Sequence, residues 1–453
     1  MNNDLIYKVN DKPPFLKVLL FAMQQVLAIL AATITVPKLI GISQSAALFG
    51  AGLGTLVYLL FTKFNSPVFL GSSFAYIPPM IAAFSGALGL GYTAEVGYLG
   101  LVLGSIIAGL VYVIIGVLVK AFGTGWINKI MPKIIIGPVV SIIGLTLSVN
   151  AVSDLWIGGL DNSNAWLCLI CGLVTMFTTM IISVYGKKIT KMIPFIIGIG
   201  SGYLLAVIFT NFGKILDNDN LKIINFALFK DIKWLPDFSF IHAFGSVTEF
   251  NSFVEFLKFF LIIFFGYAPI AFVSFAEHIA DHKNLSSIIG QDLLENPGLH
   301  RTLMGDGVGS MVGAFFGGCP NTTYGESIGC VAISKNASVI TTLVTAILAI
   351  IISFIGPFIT FLATIPNCVM GGVCITLYGF ISVSGLKMIQ DVDLNDNRNL
   401  FVVSVILITG VGGLSLKFLN NSGEILFELS AIVTALILGI LVNIAVNFKR
   451  NKQ

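Results

Sequence analysis

Residues 71–76 read Gly71-Ser72-Ser73-Phe74-Ala75-Tyr76, and residues 321–326 read Asn321-Thr322-Thr323-Tyr324-Gly325-Glu326. Each stretch sets small hydroxyl residues ahead of an aromatic ring and follows it with Ala or Gly, and the two lie 250 residues apart. So short a similarity carries little weight alone; where the stretches fall along the chain gives it meaning. Long apolar runs occupy 16–37, 44–62, 92–119, 132–151, 165–185, 190–211, 255–279, 337–361, 364–384, 399–418 and 428–447. Between them lie weaker segments, 67–83, 303–318 and 320–334, each short or interrupted by Gly and Pro. The two stretches belong to the first and last of these.

The chain is 56% hydrophobic and only 10% charged, against about 25% charged in soluble domains. That composition predicts an all-α polytopic membrane protein. At about 20 residues per crossing, fourteen crossings need about 280 residues. No soluble domain fits in the remainder: the polar stretches 212–250, 283–302 and 388–398 are each too short for a core of their own.

Charge placement tests the count of fourteen independently. Lys8, Lys12 and Lys17 precede the first segment, Lys63 follows the second, and Lys120, Lys129 and Lys133 surround the link between the fourth and fifth. Lys187, Lys188 and Lys191 surround the next such link, Lys283 and Arg301 follow the eighth segment, and Lys335 the tenth. Lys387 and Arg398 follow the twelfth, and Lys449, Arg450 and Lys452 the last. With fourteen segments all these cations share one side, which the positive-inside rule makes cytoplasmic, with both termini there. Omitting 67–83 would reverse every later loop. The stretch from Lys214 to Asp237, mixed in sign, falls on the opposite side. The polar N-terminus with Pro13 and Pro14 lacks the form of a cleaved signal, so the first segment is expected to be retained.

Counted this way, 67–83 is the third segment of a first seven and 320–334 the third of a second seven. Seven is odd, so the second copy starts from the other side and lies inverted. Backbone that leaves the helical pattern cannot face lipid, because each unpaired amide costs several kcal/mol. Interrupted segments paired across a repeat interface point to a substrate site near the midplane; tight crossings packed by small residues are the bland alternative.

The acids favour a site. Glu277 lies in the apolar run FFGYAPIAFVSFAEHIADH, Asp281 follows one helical turn later, and Glu326 follows the second short stretch. Spacing of four puts Glu277 and Asp281 on one face, with His278 and His282 on another rotated by about 100°. Asp281 and His282 could instead begin a loop. An acid inside a membrane usually marks a pathway, a proton relay or a substrate site. Converging carboxyls that both titrate and accept hydrogen bonds can couple proton binding to a ligand. A flat neutral molecule with N–H donors and C=O acceptors suits them, with Phe74, Tyr76 or Tyr324 as an aromatic surface. Gln25, in the first segment, suits a helix-to-helix hydrogen bond as well as it suits a ligand.

These residues carry a resemblance. From Lys12 to about Lys449 the chain is similar to bacterial members of the nucleobase/ascorbate transporter (nucleobase:cation symporter) family. The strongest match is Pro320-Asn321-Thr322-Thr323-Tyr324-Gly325-Glu326-Ser327-Ile328-Gly329, continuing to Ser334-Lys335; Gly71-Ser72-Ser73-Phe74-Ala75 and Ala276-Glu277-His278-Ile279 are also characteristic. The resemblance implies a core domain from 12–120 and 251–362, a gate domain from 130–211 and 363–449, and an extracytoplasmic loop at 212–250. It implies a short strand in each of segments three and ten, pairing antiparallel where substrate lies. Glu277, Glu326, Phe74 and Gly325 would bind the substrate. Glu277 and Asp281 would couple it to protons, and Ser73, Tyr324, Ser327, His282 and Gln25 would have secondary roles. The implied activity is proton-driven uracil uptake across a bacterial cytoplasmic membrane by a homodimer in lipid, with xanthine or uric acid as the alternative substrate. Three departures stand out: Ser327 replaces the usual Asn, Ser334 replaces Thr, and Gln25 stands where several relatives have His. Glu326 favours uracil, since purine-transporting relatives more often carry Gln, which donates as well as accepts.

Other classes find no support. There is no basic block with interleaved aromatics for nucleic acid, no nucleophile-and-base pair for an enzyme, and nothing that calls for a cofactor. The six cysteines fall mostly inside apolar runs, and Cys168 and Cys171 read as small buried hydrophobes rather than a metal pair.

Overall fold

The structure is a computed structural model that describes residues 5–448 except 188, 231, 237–239, 391 and 420–424. Lys188, Asp237, Lys449, Arg450 and Lys452, used above to weigh orientation, lie outside the described residues. Fifteen principal helices are α1 (Phe15–Ile40), α2 (Gln44–Phe61), α3 (Ile77–Gly89), α4 (Ala94–Phe122), α5 (Lys133–Asp154), α6 (Ala165–Tyr185), α7 (Pro194–Ile215), α8 (Phe253–Ile289), α9 (Leu299–Phe315), α10 (Gly325–Ser334), α11 (Val339–Ser353), α12 (Gly356–Thr364), α13 (Asn367–Met388), α14 (Asn397–Val411) and α15 (Ala431–Asn447). Two pairs of short strands interrupt them: β1 (Leu70–Ser72) with β2 (Asn321–Thr323), and β3 (Leu416–Leu419) with β4 (Ile425–Leu429). Among the described residues eight helices are long and apolar enough to cross a membrane, nine if α11 and α12 count as one bent span. The chain is an all-α, multi-pass membrane protein.

Local chemistry sets the ends. Gly41 closes α1 with φ 80°, a left-handed cap that a side chain would strain, and the Ser43 hydroxyl accepts from the Ala46 amide to start α2. The Ser252 hydroxyl caps α8 in the same way, and Gly290 ends it with φ 70°. α8 therefore runs well beyond 279, so Asp281 and His282 are helical rather than the start of a loop. The apolar run 337–361 is also not one straight helix. α11 stops at Ser353, and α12 leaves it at 83° with Pro357 in its first turn, where a missing N–H costs nothing.

The runs expected at 399–418 and 428–447 are shorter as helices than their hydropathy suggests. α14 ends at Val411 before Gly412-Gly413, and the hairpin pairs Leu416 with Leu429 and Lys417 with Glu428. Hydropathy cannot separate an apolar strand from the end of an apolar helix.

The helices pack in two groups. α2, α4, α9 and α11 pack on one another, with α1, α3, α8 and α10 around them; α5 lies along α13, joined by α6, α7, α14 and α15. α1 and α8 touch both groups, α1 reaching α7 and α13 and α8 reaching α5 and α15. Cations from separate links gather at one end of the bundle: Arg301 donates to the Phe61 carbonyl, His300 lies within electrostatic reach of Lys120, and Lys283 within that of Lys133. The N-terminal strap joins them there, with the Ile6 amide on the Lys335 carbonyl and the Ala337 amide on the Tyr7 carbonyl.

α2 and α9 cross backbone to backbone. A Cβ on Gly54 would stand 2.7 Å from the Gly309 carbonyl oxygen, and one on Gly50 2.5 Å from that of Gly313. Small residues four apart on both helices permit this approach, which in lipid supplies the contact energy that burial supplies in water. Gly309→Val should therefore destabilise the fold by about 1–3 kcal/mol or more, read as a lowered melting temperature in detergent; Gly89→Val, where a Cβ meets nothing within 4 Å, serves as the matched control.

Candidate functional site

Deep in the bundle β1 and β2 lie antiparallel, with Leu70 opposite Thr323, Gly71 opposite Thr322 and Ser72 opposite Asn321. All six residues are buried. Three residues a side leave many amides to satisfy, and the neighbouring helices do so. Thr55 on α2 accepts from the Leu70 amide at 2.9 Å, and Ser310 on α9 accepts from the Asn321 amide at 2.9 Å. The Asn321 side chain donates to the Gly50 carbonyl at 3.1 Å, and the Ser73 amide to the Pro320 carbonyl at 2.9 Å. Tyr324 lays its ring against Gly71, where a Cβ would stand 2.4 Å from the ring, and donates its hydroxyl to the Ser72 carbonyl at 2.9 Å.

Each strand feeds a helix. β1 runs through a turn at Phe74–Tyr76 into α3, and β2 through Tyr324 into α10. The start of α10 presents first-turn amides, with Gly325 exposed and Glu326 in that first turn. Such an end offers donors and a partial positive charge.

α8 supplies the other wall. The Glu277 carboxyl stands within electrostatic reach of Asp281, Glu326 and Asp306, and all of Glu277, Asp281 and Glu326 are partly exposed. Thr323 of β2 donates to Asp281 at 2.6 Å, tying α8 to the strand pair. Phe74 reaches across to α13, its ring edge-on to Tyr378 at 5.4 Å. Glu277, Asp281, Glu326, Phe74 and Gly325, far apart in sequence, thus sit around the strand crossing.

Several expected secondary residues have partners within the protein. Gln25 on α1 donates to the Ser327 hydroxyl at 2.8 Å, and its carbonyl accepts from Thr345 at 2.9 Å, a hydrogen-bonded bridge from α1 to α10 and α11. Two of the three departures from the family pattern, Gln25 and Ser327, therefore touch. Ser73 and Tyr324 are buried in the strand crossing. His282 is fully buried on the other face of α8. Its Nδ1 donates to the His278 carbonyl at 2.8 Å, which leaves Nε2 to accept from the Tyr58 hydroxyl at 2.7 Å.

Sequence reasoning missed Asp306. It is 1% exposed, and its carboxylate lies 2.7 Å from His278 Nδ1, while His278 Nε2 contacts Thr302 at 3.0 Å and the two histidine rings stack at 4.1 Å. The available signal was an acid inside the Gly-rich apolar segment 303–318, the same signal that singled out Glu277. The six cysteines are buried free thiols, and among the described residues no group of three His, Cys, Asp or Glu is placed to hold a metal.

Comparison with known proteins gives this arrangement a lineage. The family model Xan_ur_permease, described as a permease family, matches residues 16–418. The chain belongs to this permease family. It is 36% identical over 446 residues to the uracil permease of Bacillus caldolyticus, covering 98% of this chain and 95% of the relative. The uracil permease of Bacillus subtilis is likewise 36% identical over 98% of this chain and 96% of its own length. That of Escherichia coli K12 is 33% identical over 95% and 92%. Among solved structures, the transmembrane domain of the cyanobacterial bicarbonate transporter BicA superposes with a TM-score of 0.64 at 14% identity, covering 96% of this chain and 100% of that one. SLC26A9 gives 0.64 at 12% identity over 94% of this chain and 65% of its own. At that identity these two share the fold alone.

As a permease, the chain is a transporter rather than an enzyme, and its buried polar groups serve to hold helices that carry a pathway. The His278–Asp306 pair is fully enclosed among them. Removing one partner of such a pair leaves the other polar group buried and unsatisfied, at a cost of about 1–3 kcal/mol. His278→Ala, which also removes a ring stacked on His282, should therefore lower the melting temperature in detergent more than Gln25→Ala, which deprives only the Ser327 and Thr345 hydroxyls of a partner.

Proposed function

We propose that this permease carries uracil across a bacterial cytoplasmic membrane together with protons. The observation that carries the proposal is the convergence of Glu277, Glu326 and Asp281 on the β1–β2 crossing, and it is supported by the uracil permeases to which nearly the whole chain is related. Uracil is planar, with N–H and C=O groups alternating round its edge. Glu277 and Glu326 accept from its N–H groups, and backbone groups at Phe74 and Gly325, at the entrances to α3 and α10, complete the set. The Phe74 ring covers one face.

The four-helix cluster of α2, α4, α9 and α11, with α1, α3, α8 and α10, acts as the core; α5–α7 and α13–α15 act as the gate. Counted with the interrupted segments, the chain makes fourteen segments in two inverted sevens, with β1 in the third and β2 in the tenth. The gathered cations mark the cytoplasmic end, where both termini lie. The resemblance further implies a homodimer, checked by the mass of the detergent-solubilised particle.

Protonation at Glu277 and Asp281 is the coupling step. These acids lie within electrostatic reach of Glu326, so loss of charge at one favours binding of a neutral ring beside the others. A proton and a uracil together let the core move against the gate and expose the site on the other side. Because neither ligand alone makes that move readily, the proton gradient drives accumulation.

Radiolabelled uracil uptake into proteoliposomes, with and without an imposed proton gradient, tests the proposal. Uptake should be saturable, stimulated by inward acid gradients, and poorly inhibited by xanthine or uric acid. Glu326→Gln replaces a charge-assisted hydrogen bond of about 1.5–3 kcal/mol and should weaken uracil binding by roughly 10–150-fold, while Glu277→Gln, which cannot titrate, should abolish stimulation of uptake by the proton gradient, both proteins remaining folded in the membrane. Normal uptake in both variants would remove the site assignment; strong inhibition by xanthine would move the substrate to the purines.

A further inference from the structure

At the end of the bundle away from the N-terminus, a cavity of about 440 Å³ opens between α1, α2, α12 and the loop before α8, with Lys38, Gln44, Tyr98, Lys233 and Thr360 in its lining. Lys38 stands at its floor, in the last turn of α1. Its ammonium donates to the Ile365 carbonyl at the joint between α12 and α13. Its charge also acts on Asp154, the last residue of α5, which packs against Gly371 of α13. One side chain of α1 thus binds across to the α5–α13 pair.

Beneath Lys38 the seam between α1 and α13 is buried. One turn inward, Thr35 and Cys374 contact each other by their side chains, and both are 1% exposed. One turn further along α13, Tyr378 meets Phe74, with the two rings edge to face at 5.4 Å. Lys38, Thr35–Cys374 and Tyr378–Phe74 therefore form three successive layers between the cavity and the carboxylates. The lower two carry no charge. Only the outermost carries opposite charges, and its Lys38 lines the cavity.

We infer that Lys38 and Asp154 form the outer latch of the transporter: Lys38 holds α1 against the α5–α13 pair, and a solute entering from the cavity reaches Phe74 only when that contact releases. Lys38 is a positioning residue in this scheme, since it acts by holding α1 and touches no substrate at the carboxylates. The inference rests on the division into core and gate and on the orientation proposed above. Opening would hydrate both charges, which makes release reversible, whereas a purely apolar seal at this depth would gain nothing from water.

Cys374 is a built-in reporter, because it lies directly under the latch and is inaccessible while the latch is closed. The test uses the full chain with the other five cysteines replaced by Ser, expressed in intact cells and treated with a membrane-impermeant cationic methanethiosulfonate. Lys38→Met and Asp154→Asn should each speed labelling of Cys374 by roughly tenfold or more, a loss of about 1.4 kcal/mol of preference for the closed seam. Lys38→Arg should keep the slow labelling of the parent, and the exchanged pair Lys38→Asp with Asp154→Lys should return towards it. Parental labelling in both single variants, or fast labelling in Lys38→Arg and the exchanged pair alike, would overturn the latch. The readout needs no substrate: labelling that responds as expected in a chain that takes up no uracil would remove the substrate and keep the latch, and unchanged labelling with intact uptake would do the reverse.

Discussion

The structure depends on one constraint, that peptide groups inside a membrane must find partners within the protein. β1 and β2 are the place where that constraint is hardest to meet, because six residues abandon helical bonding among apolar helices. They meet it by bonding to each other and to side chains of α2 and α9, so that Thr55 and Ser310 are as much part of the strands as the strands themselves, while the Asn321 side chain ties β2 back to α2. Gly-to-Gly contact between α2 and α9 is what brings those side chains near enough. The polar crossing and the close helix packing are therefore one feature seen twice.

The crossing also creates the chemistry. Two chain segments that stop being helical at the same depth must each restart, and each restart exposes first-turn amides towards the space between them. Glu326 occupies one restart, and Phe74 and Tyr76 the other. α8 then lines the remaining side with Glu277 and Asp281, while a second face is given to His278 and His282, which are sealed against Asp306 and Tyr58. One helix thus separates acids that can meet water and ligand from a polar network that holds position. The four-residue spacing of each pair makes that separation possible.

The membrane-spanning helices are largely legible in the sequence, because an apolar run of about 20 residues has few alternatives in lipid. Legibility ends where apolar character and conformation part company. The hairpin β3–β4 lies in sequence that hydropathy reads as the ends of two helices, and the bend before α12 turns on a single Pro357. Asp306 is not legible in the sequence because a lone acid among glycines in a weak segment has no partner nearby along the chain; His278 lies 28 residues away.

What the sequence by itself determined is the list of participants: acids and broken segments in places where lipid tolerates neither without a purpose, and a motif around 320–329 specific enough to indicate the family. Residue type and hydropathy are local properties, and they suffice for that. Which participants meet was decided only by the tertiary structure. The register of Leu70 with Thr323, the bond from Thr323 to Asp281, the pairing of Gln25 with Ser327 and the reach of Lys38 to Ile365 each join residues dozens to hundreds of positions apart. Such contacts arise from how whole helices pack, and no local pattern encodes the distance between two helices.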